Sequence, residues 1–134
     1  MLWKLLQGDR ALGVRGKPVF AREFSFRALK ADNAVLLGNT RSNPWIEPFE
    51  ARTGLRWVFD QEAGVYDAVD TWKGNQRYRG ASTPEARESY FSVTLQPNLG
   101  GNGTVLIIGG TGGAAITNAA DDLHSEPALQ NLRR

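Results

Sequence analysis

Two short apolar runs in this chain stop abruptly at glycine. Val105, Leu106, Ile107 and Ile108 lead into Gly109, Gly110, Thr111, Gly112 and Gly113, and a small-residue run opens at Ala114. Val35, Leu36 and Leu37 lead into Gly38, Asn39, Thr40, Arg41, Ser42, Asn43 and Pro44. Neither run alternates with polar residues, which suits a strand covered on both faces. Each stretch therefore reads as a buried strand, a tight loop and the start of a helix. Proline is favoured at the first helical position, so Pro44 predicts a helix start with Asn43 or Ser42 as its cap. Trp45, Ile46 and Phe49 supply its buried face, Pro48 limits its regularity, and Gly54 is its expected terminator.

The remaining pattern is mostly extended. Residues 55–59 and 65–69 carry strand-forming residues around an acidic turn and predict a hairpin. Residues 89–95 alternate, and with 104–108 they flank a Gly/Asn-rich turn at 96–103, a second antiparallel hairpin. Residues 70–88 are polar and read as a long surface loop, with a helical turn near 84–87. Residues 114–123 predict a helix whose small face lies close on the sheet. Before residue 33 the pattern is weak: an apolar stripe at residues 2–6, glycines at 8, 13 and 16, and a short helix over 21–30. After Pro127 one more turn is expected at 128–132.

Together these elements predict one α/β domain over residues 1–134. Residues 1–32 form a weakly structured lead, 33–123 the core and 124–134 a tail. The expected architecture is a mixed, three-layer sheet of Rossmann- or flavodoxin-like type carrying an antiparallel hairpin. A chain of 134 residues suits one core. The charge of +2 is too slight, and its arginines and acids too interspersed, to argue for nucleic acid. No apolar run approaches the roughly 20 residues of a membrane span, and residues 1–6 lack a signal-peptide core. The expected location is the cytoplasm, alone or within a larger protein. Cysteine is absent and there is one histidine, which excludes disulfides and the usual Cys or His metal clusters; no cofactor is expected.

The chemistry follows from geometry. In open α/β sheets ligands bind beyond the carboxyl ends of the strands, and glycine loops entering helices expose N–H groups that favour anions. If the two glycine-ended strands are parallel neighbours, Gly38, Asn39, Thr40, Arg41, Ser42 and Asn43 face Gly109, Gly110, Thr111, Gly112 and Gly113 across one crevice. Arg41 adds charge for a phosphate or carboxylate. The simpler reading is that these glycines only allow tight turns. Neither loop has dinucleotide-fingerprint spacing, and no Gly-Lys-Ser/Thr is present. Asp60, Glu62, Asp67 and Asp70 read as ordinary turn acids rather than a Mg²⁺ rim. Asp121, Asp122 and His124 sit too close together on one helix end for a triad.

The block Asn33-Ala-Val-Leu-Leu-Gly-Asn-Thr-Arg-Ser-Asn-Pro-Trp45 and the block from Gln96 to Thr111 resemble an uncharacterised bacterial α/β domain. That domain is found C-terminal to winged-helix or membrane-anchored segments. Leu2, Trp3 and the Arg15-Gly-Lys-Pro18 stretch fit the same pattern, and Pro48 departs from it. The resemblance implies a sensor or ligand-binding role by association, with no transferable activity. Gly38, Arg41 and Ser42 also resemble the phosphate loop of flavodoxin-like FMN reductases, which implies an alternative: a flavin-dependent enzyme with FMN as cofactor. The leading expectation is a non-catalytic sensory or regulatory module for a small anionic ligand. A protein–protein interaction domain anchored by Trp45, Trp57 and Trp72 is a third reading. A homodimer, or attachment to a larger regulatory protein, is left open.

Overall fold

The computed structural model describes residues 16–80 and 88–123. The stripe at residues 2–6, the turn at 84–87, His124 and the tail to Arg134 lie outside the described residues.

A 3-10 turn, Ala21–Glu23, is followed by extended backbone at Phe24 and Ser25. Ser25 then caps helix α1 (Phe26–Ala31), its Oγ accepting the Ala28 N–H at 3.1 Å. Such a cap contributes about 1 kcal/mol. The single helix expected over 21–30 is thus divided in two. Strand β1 (Ala34–Leu37) comes next. Asn43 accepts the Trp45 N–H at 3.2 Å and opens a 3-10 turn, Pro44–Ile46, which runs into helix α2 (Glu47–Thr53). Pro48 falls in the first turn of α2, where its missing N–H costs no helical bond, so it starts the helix instead of interrupting it. Gly54 ends α2 in the left-handed region.

Strands β2 (Leu55–Asp60), β3 (Val65–Asp70) and β4 (Gln76–Arg79) form an antiparallel sheet in that order. The β2–β3 hairpin was expected. β4 lies inside the stretch read as loop, because Gln76, Arg77, Tyr78 and Arg79 carry almost no apolar signal. Their pairing comes from β3, where Asp67 receives both arginines. Strands β5 (Phe91–Pro97) and β6 (Thr104–Gly110) form the second expected hairpin. β1 lies parallel to β6 on its other side, with Leu37 beside Ile108, giving the order β1-β6-β5. Helix α3 (Gly113–Leu123) follows β6 directly.

The architecture is therefore two three-stranded sheets, one mixed and one antiparallel, with few short helices. It is mostly β, and the expected three-layer Rossmann- or flavodoxin-like fold is contradicted. A doubly wound fold needs successive parallel strands, each joined by a crossover of a dozen or more residues. Here the turns after β2 and β3 are short, so those strands return antiparallel and build a separate sheet. Only β1 and β6 are parallel. The unbroken apolar run correctly marked β6 as covered on both faces, but one such strand does not extend into a parallel sheet.

Both faces of the mixed sheet carry core. Leu29, Leu36, Ile46, Phe49, Val105 and Ile107 form one cluster beneath α1, the 3-10 turn and α2. Ile108, Ile116 and Ala119 form the other beneath α3, with Leu37, Val93 and Leu106 against them. Each fully buried Leu, Ile or Phe contributes roughly 1.5–3 kcal/mol. Among the described residues, no helix is long and apolar enough to cross a membrane.

Candidate functional site

β1 and β6 end side by side and point the same way. Gly38 N–H donates to the Ile108 carbonyl at 3.0 Å, so the pairing continues to the last residue before the loop. Beyond it the two chains part. The segment after β1 turns to the face covered by Ile46 and Phe49, and the segment after β6 turns to the face covered by Ile116 and Ala119. In open α/β sheets, the point where two adjacent parallel strands send their connections to opposite faces is where ligands bind. The strands that carry the two expected loops are parallel neighbours, the condition the sequence reading set for a shared site.

The first loop is tied to itself. Asn39 is buried, and its Oδ1 accepts the N–H groups of Arg41 and Ser42, each at 3.1 Å. Its carbonyl accepts the Ser42 and Asn43 N–H groups. Ser42 Oγ accepts the Asn39 N–H at 3.0 Å, and Asn43 Nδ2 donates to the Leu37 carbonyl. Gly38 is held at φ +106, and a Cβ there would strike Ser42 Oγ. The N–H groups of Ser42 and Asn43, expected to hold an anion, are thus engaged within the loop. Thr40 is half-buried in it. Arg41 is exposed, with its guanidinium carbon 4.9 Å from the centre of the Phe59 ring.

The second loop is shorter than the sequence implied. Gly109 and Gly110 belong to β6, paired with Ser92 and Phe91. Thr111 is pinned to Tyr90: its N–H donates to the Tyr90 carbonyl at 3.0 Å and its Oγ1 accepts the Tyr90 N–H at 3.2 Å. Gly112 and Gly113 stand exposed at the mouth and start α3. The first-turn N–H groups of a helix have no partner within it, and they carry its positive end.

The other sheet meets the end of β6. Trp57 and Phe59 lie two apart on β2 and so share a face. A Cβ on Gly109 would sit on Trp57 Nε1, so this glycine is a site of close approach as well as a strand residue. Trp57 Nε1–H has no acceptor among the described residues. Phe59 packs on Tyr66 at 5.0 Å, Tyr78 on Tyr90 at 5.6 Å, and Gly80 lies against Thr111. Sequence reasoning placed Trp57 with the interaction anchors and did not connect it with Gly109. The alternation in β2 put Trp57 and Phe59 on one face, but nothing local said that this face meets Gly109.

The other candidates resolve simply. Asp60 accepts the N–H groups of Glu62 and Ala63 and pairs with Arg79 at 2.6 Å. The Ala63 N–H bond, then those of Glu62 and Arg79, hold its carboxyl below the ordinary aspartate value despite some opposing desolvation. Asp70 accepts the Trp72 and Lys73 N–H groups. Asp67 is buried and shared by Arg77 and Arg79. These acids cap turns and neutralise arginines, and among the described residues no group of three His, Cys, Asp or Glu is placed to hold a metal. Asp121 and Asp122 lie on α3. Away from the crevice, Glu47, Glu50, Ala51, Arg56 and Thr71 line a shallow depression. Burial raises the Glu50 carboxyl above its ordinary value; Arg56 opposes the shift and Glu47 adds to it.

Of the three tryptophans offered as partner anchors, Trp45 is committed inside, its Nε1 donating to the Ala21 carbonyl at 2.7 Å. Trp57 lies against Gly109. Trp72 is 76% exposed and stacks over Gly54. The flavodoxin-like fold behind the FMN alternative is not the fold observed. No protein-family model, curated protein or solved structure matches the chain.

Proposed function

We propose that the chain is a non-catalytic regulatory module that binds a small anionic ligand in the crevice beyond β1 and β6. The observation that carries this reading is the divergence of two adjacent parallel strands, with segments leaving to opposite sheet faces. Three kinds of donor would serve such a ligand: the Arg41 guanidinium over Phe59, the Trp57 indole N–H beside Gly109, and the first turn of α3 at Gly112 and Gly113. All three complement negative charge. A planar cation on an aromatic ring keeps its edge donors free for a bidentate anion. The tightly tied 38–43 loop acts as the rigid mount for Arg41, so little ordering is required when the ligand arrives.

The experiment is a thermal-shift series with inorganic phosphate, sulfate, small carboxylates and FMN. A ligand that binds only the folded chain raises its melting temperature by mass action. Phosphate is expected to raise it, and Arg41→Ala is expected to weaken phosphate binding about 10-fold, equivalent to about 1.4 kcal/mol. A Cβ at Gly112 meets nothing within 4 Å, so Gly112→Val fits sterically, and by covering the first-turn N–H groups of α3 it is expected to act likewise. A phosphate effect that survives both substitutions contradicts this site.

A further inference from the structure

The other feature of the mixed sheet that asks for a partner is its β5 edge. Natural edge strands are guarded by charge, by shortness or by bulges. β1 is four residues long, β2 carries Arg56 and Asp60, and β4 carries Arg77 and Arg79. β5 is seven residues long and has no charge: Phe91, Ser92, Val93, Thr94, Leu95, Gln96, Pro97. Leu95 is 63% exposed and Phe91 is 41% exposed.

The hydrogen bonding fixes what this edge offers. Asn98 N–H donates to Gly103, and Thr111 N–H donates to Tyr90. Bonded pairs alternate in an antiparallel ladder, so the even-numbered residues of β5 face β6. Phe91, Val93 and Leu95 therefore turn their N–H and C=O groups outward. Pro97, which has no N–H, also falls on the outward side, where a strand proline is tolerated.

We propose that β5 pairs antiparallel with β5 of a second copy of this chain, about a two-fold axis at Thr94, making one continuous six-stranded sheet. This register sets Val93 against the partner's Leu95 and Phe91 against the partner's Pro97. All three outward N–H groups of each copy then find a carbonyl, and the position without a donor is Pro97 itself. The side-chain rows also match. Val35, Leu106 and Leu95 form an apolar row across the sheet, exposed at both ends. The pairing extends it into the partner's Val93, Ile108 and Leu37, the row that α3 covers. A slip by one residue would turn the outward carbonyls away from the donors and break this row. The strand is its own complement, with no charge to select a different partner, which is the requirement of an isologous two-fold contact.

Sedimentation or light scattering gives the first test. At about 100 µM the chain is expected to show twice its 14.7 kDa mass. Leu95→Pro removes only an outward N–H, so it is expected to return the mass to that of one chain, with at least a 10-fold weaker association. A cysteine-free chain permits a second test that does not depend on tolerance of proline. Residues on the two-fold in a non-hydrogen-bonded pair lie about 4.5 Å apart, within disulfide reach. Thr94→Cys is expected to form a reducible covalent dimer on mild oxidation, and Ser92→Cys, set opposite the partner's Gln96, is not. A single-chain mass at this concentration overturns the proposal. So does a dimer that persists in folded Leu95→Pro, or equal cross-linking of the two cysteine variants.

Discussion

At the scale of single residues, Asn39, Gly38 and Gly109 hold the candidate site in shape. The buried amide of Asn39 accepts two loop N–H groups, so Asn39→Ala leaves both without a side-chain acceptor. A loss of about 1–3 kcal/mol is expected, measurable by denaturant unfolding. Gly109→Ala is expected to destabilise by roughly 1–3 kcal/mol, since the new methyl meets Trp57 Nε1, and to change the Trp57 fluorescence. Two carboxyls give opposite pH signs. The Asp60 value is lowered in the folded chain, so its contribution is present above the ordinary aspartate value and is lost as pH falls through the folded value. Asp60→Asn should flatten the acid limb of the stability curve. Glu50 is raised, so its ionisation costs stability as pH rises above the ordinary glutamate value of 4.5. Glu50→Gln is expected to stabilise at neutral pH and to make no difference well below pH 4.5. Melting curves from acid to neutral pH check both.

At the scale of elements, the sequence showed where strands end more clearly than where they go. The apolar runs at Val35 and Val105, the turn at 96–103 and the Asn43–Pro44 helix start are all local signals, and each element formed within a few residues of its expected bounds. β4 was not legible, because Arg77 and Arg79 enter the sheet through Asp67, a partner ten and twelve residues away. Asp67→Ala removes the carboxylate that both arginines share, and β4 is expected to detach first. Faster amide exchange at residues 76–79 than in β5 and β6 would register this. Gly109 and Gly110 looked like loop residues because glycine is rare inside strands. Their role depends on Trp57 and Ile116, which approach from other elements.

At the scale of the whole molecule, the pairing of β1 with β6 sets the two glycine-ended strands side by side, and chain order alone did not contain it. The sheet count also lay beyond local pattern: short turns at 61–64 and 71–75 send β2, β3 and β4 into their own sheet, and that sheet sets Trp57 against Gly109. The most direct measurement is an amide and indole NMR titration with inorganic phosphate. The expected result is saturable shifts at the Trp57 indole N–H and at the Gly112 and Gly113 amides, abolished by Arg41→Ala. Shifts confined to the Arg56, Arg77 and Arg79 face of the second sheet, or none at all, would contradict a binding crevice beyond β1 and β6.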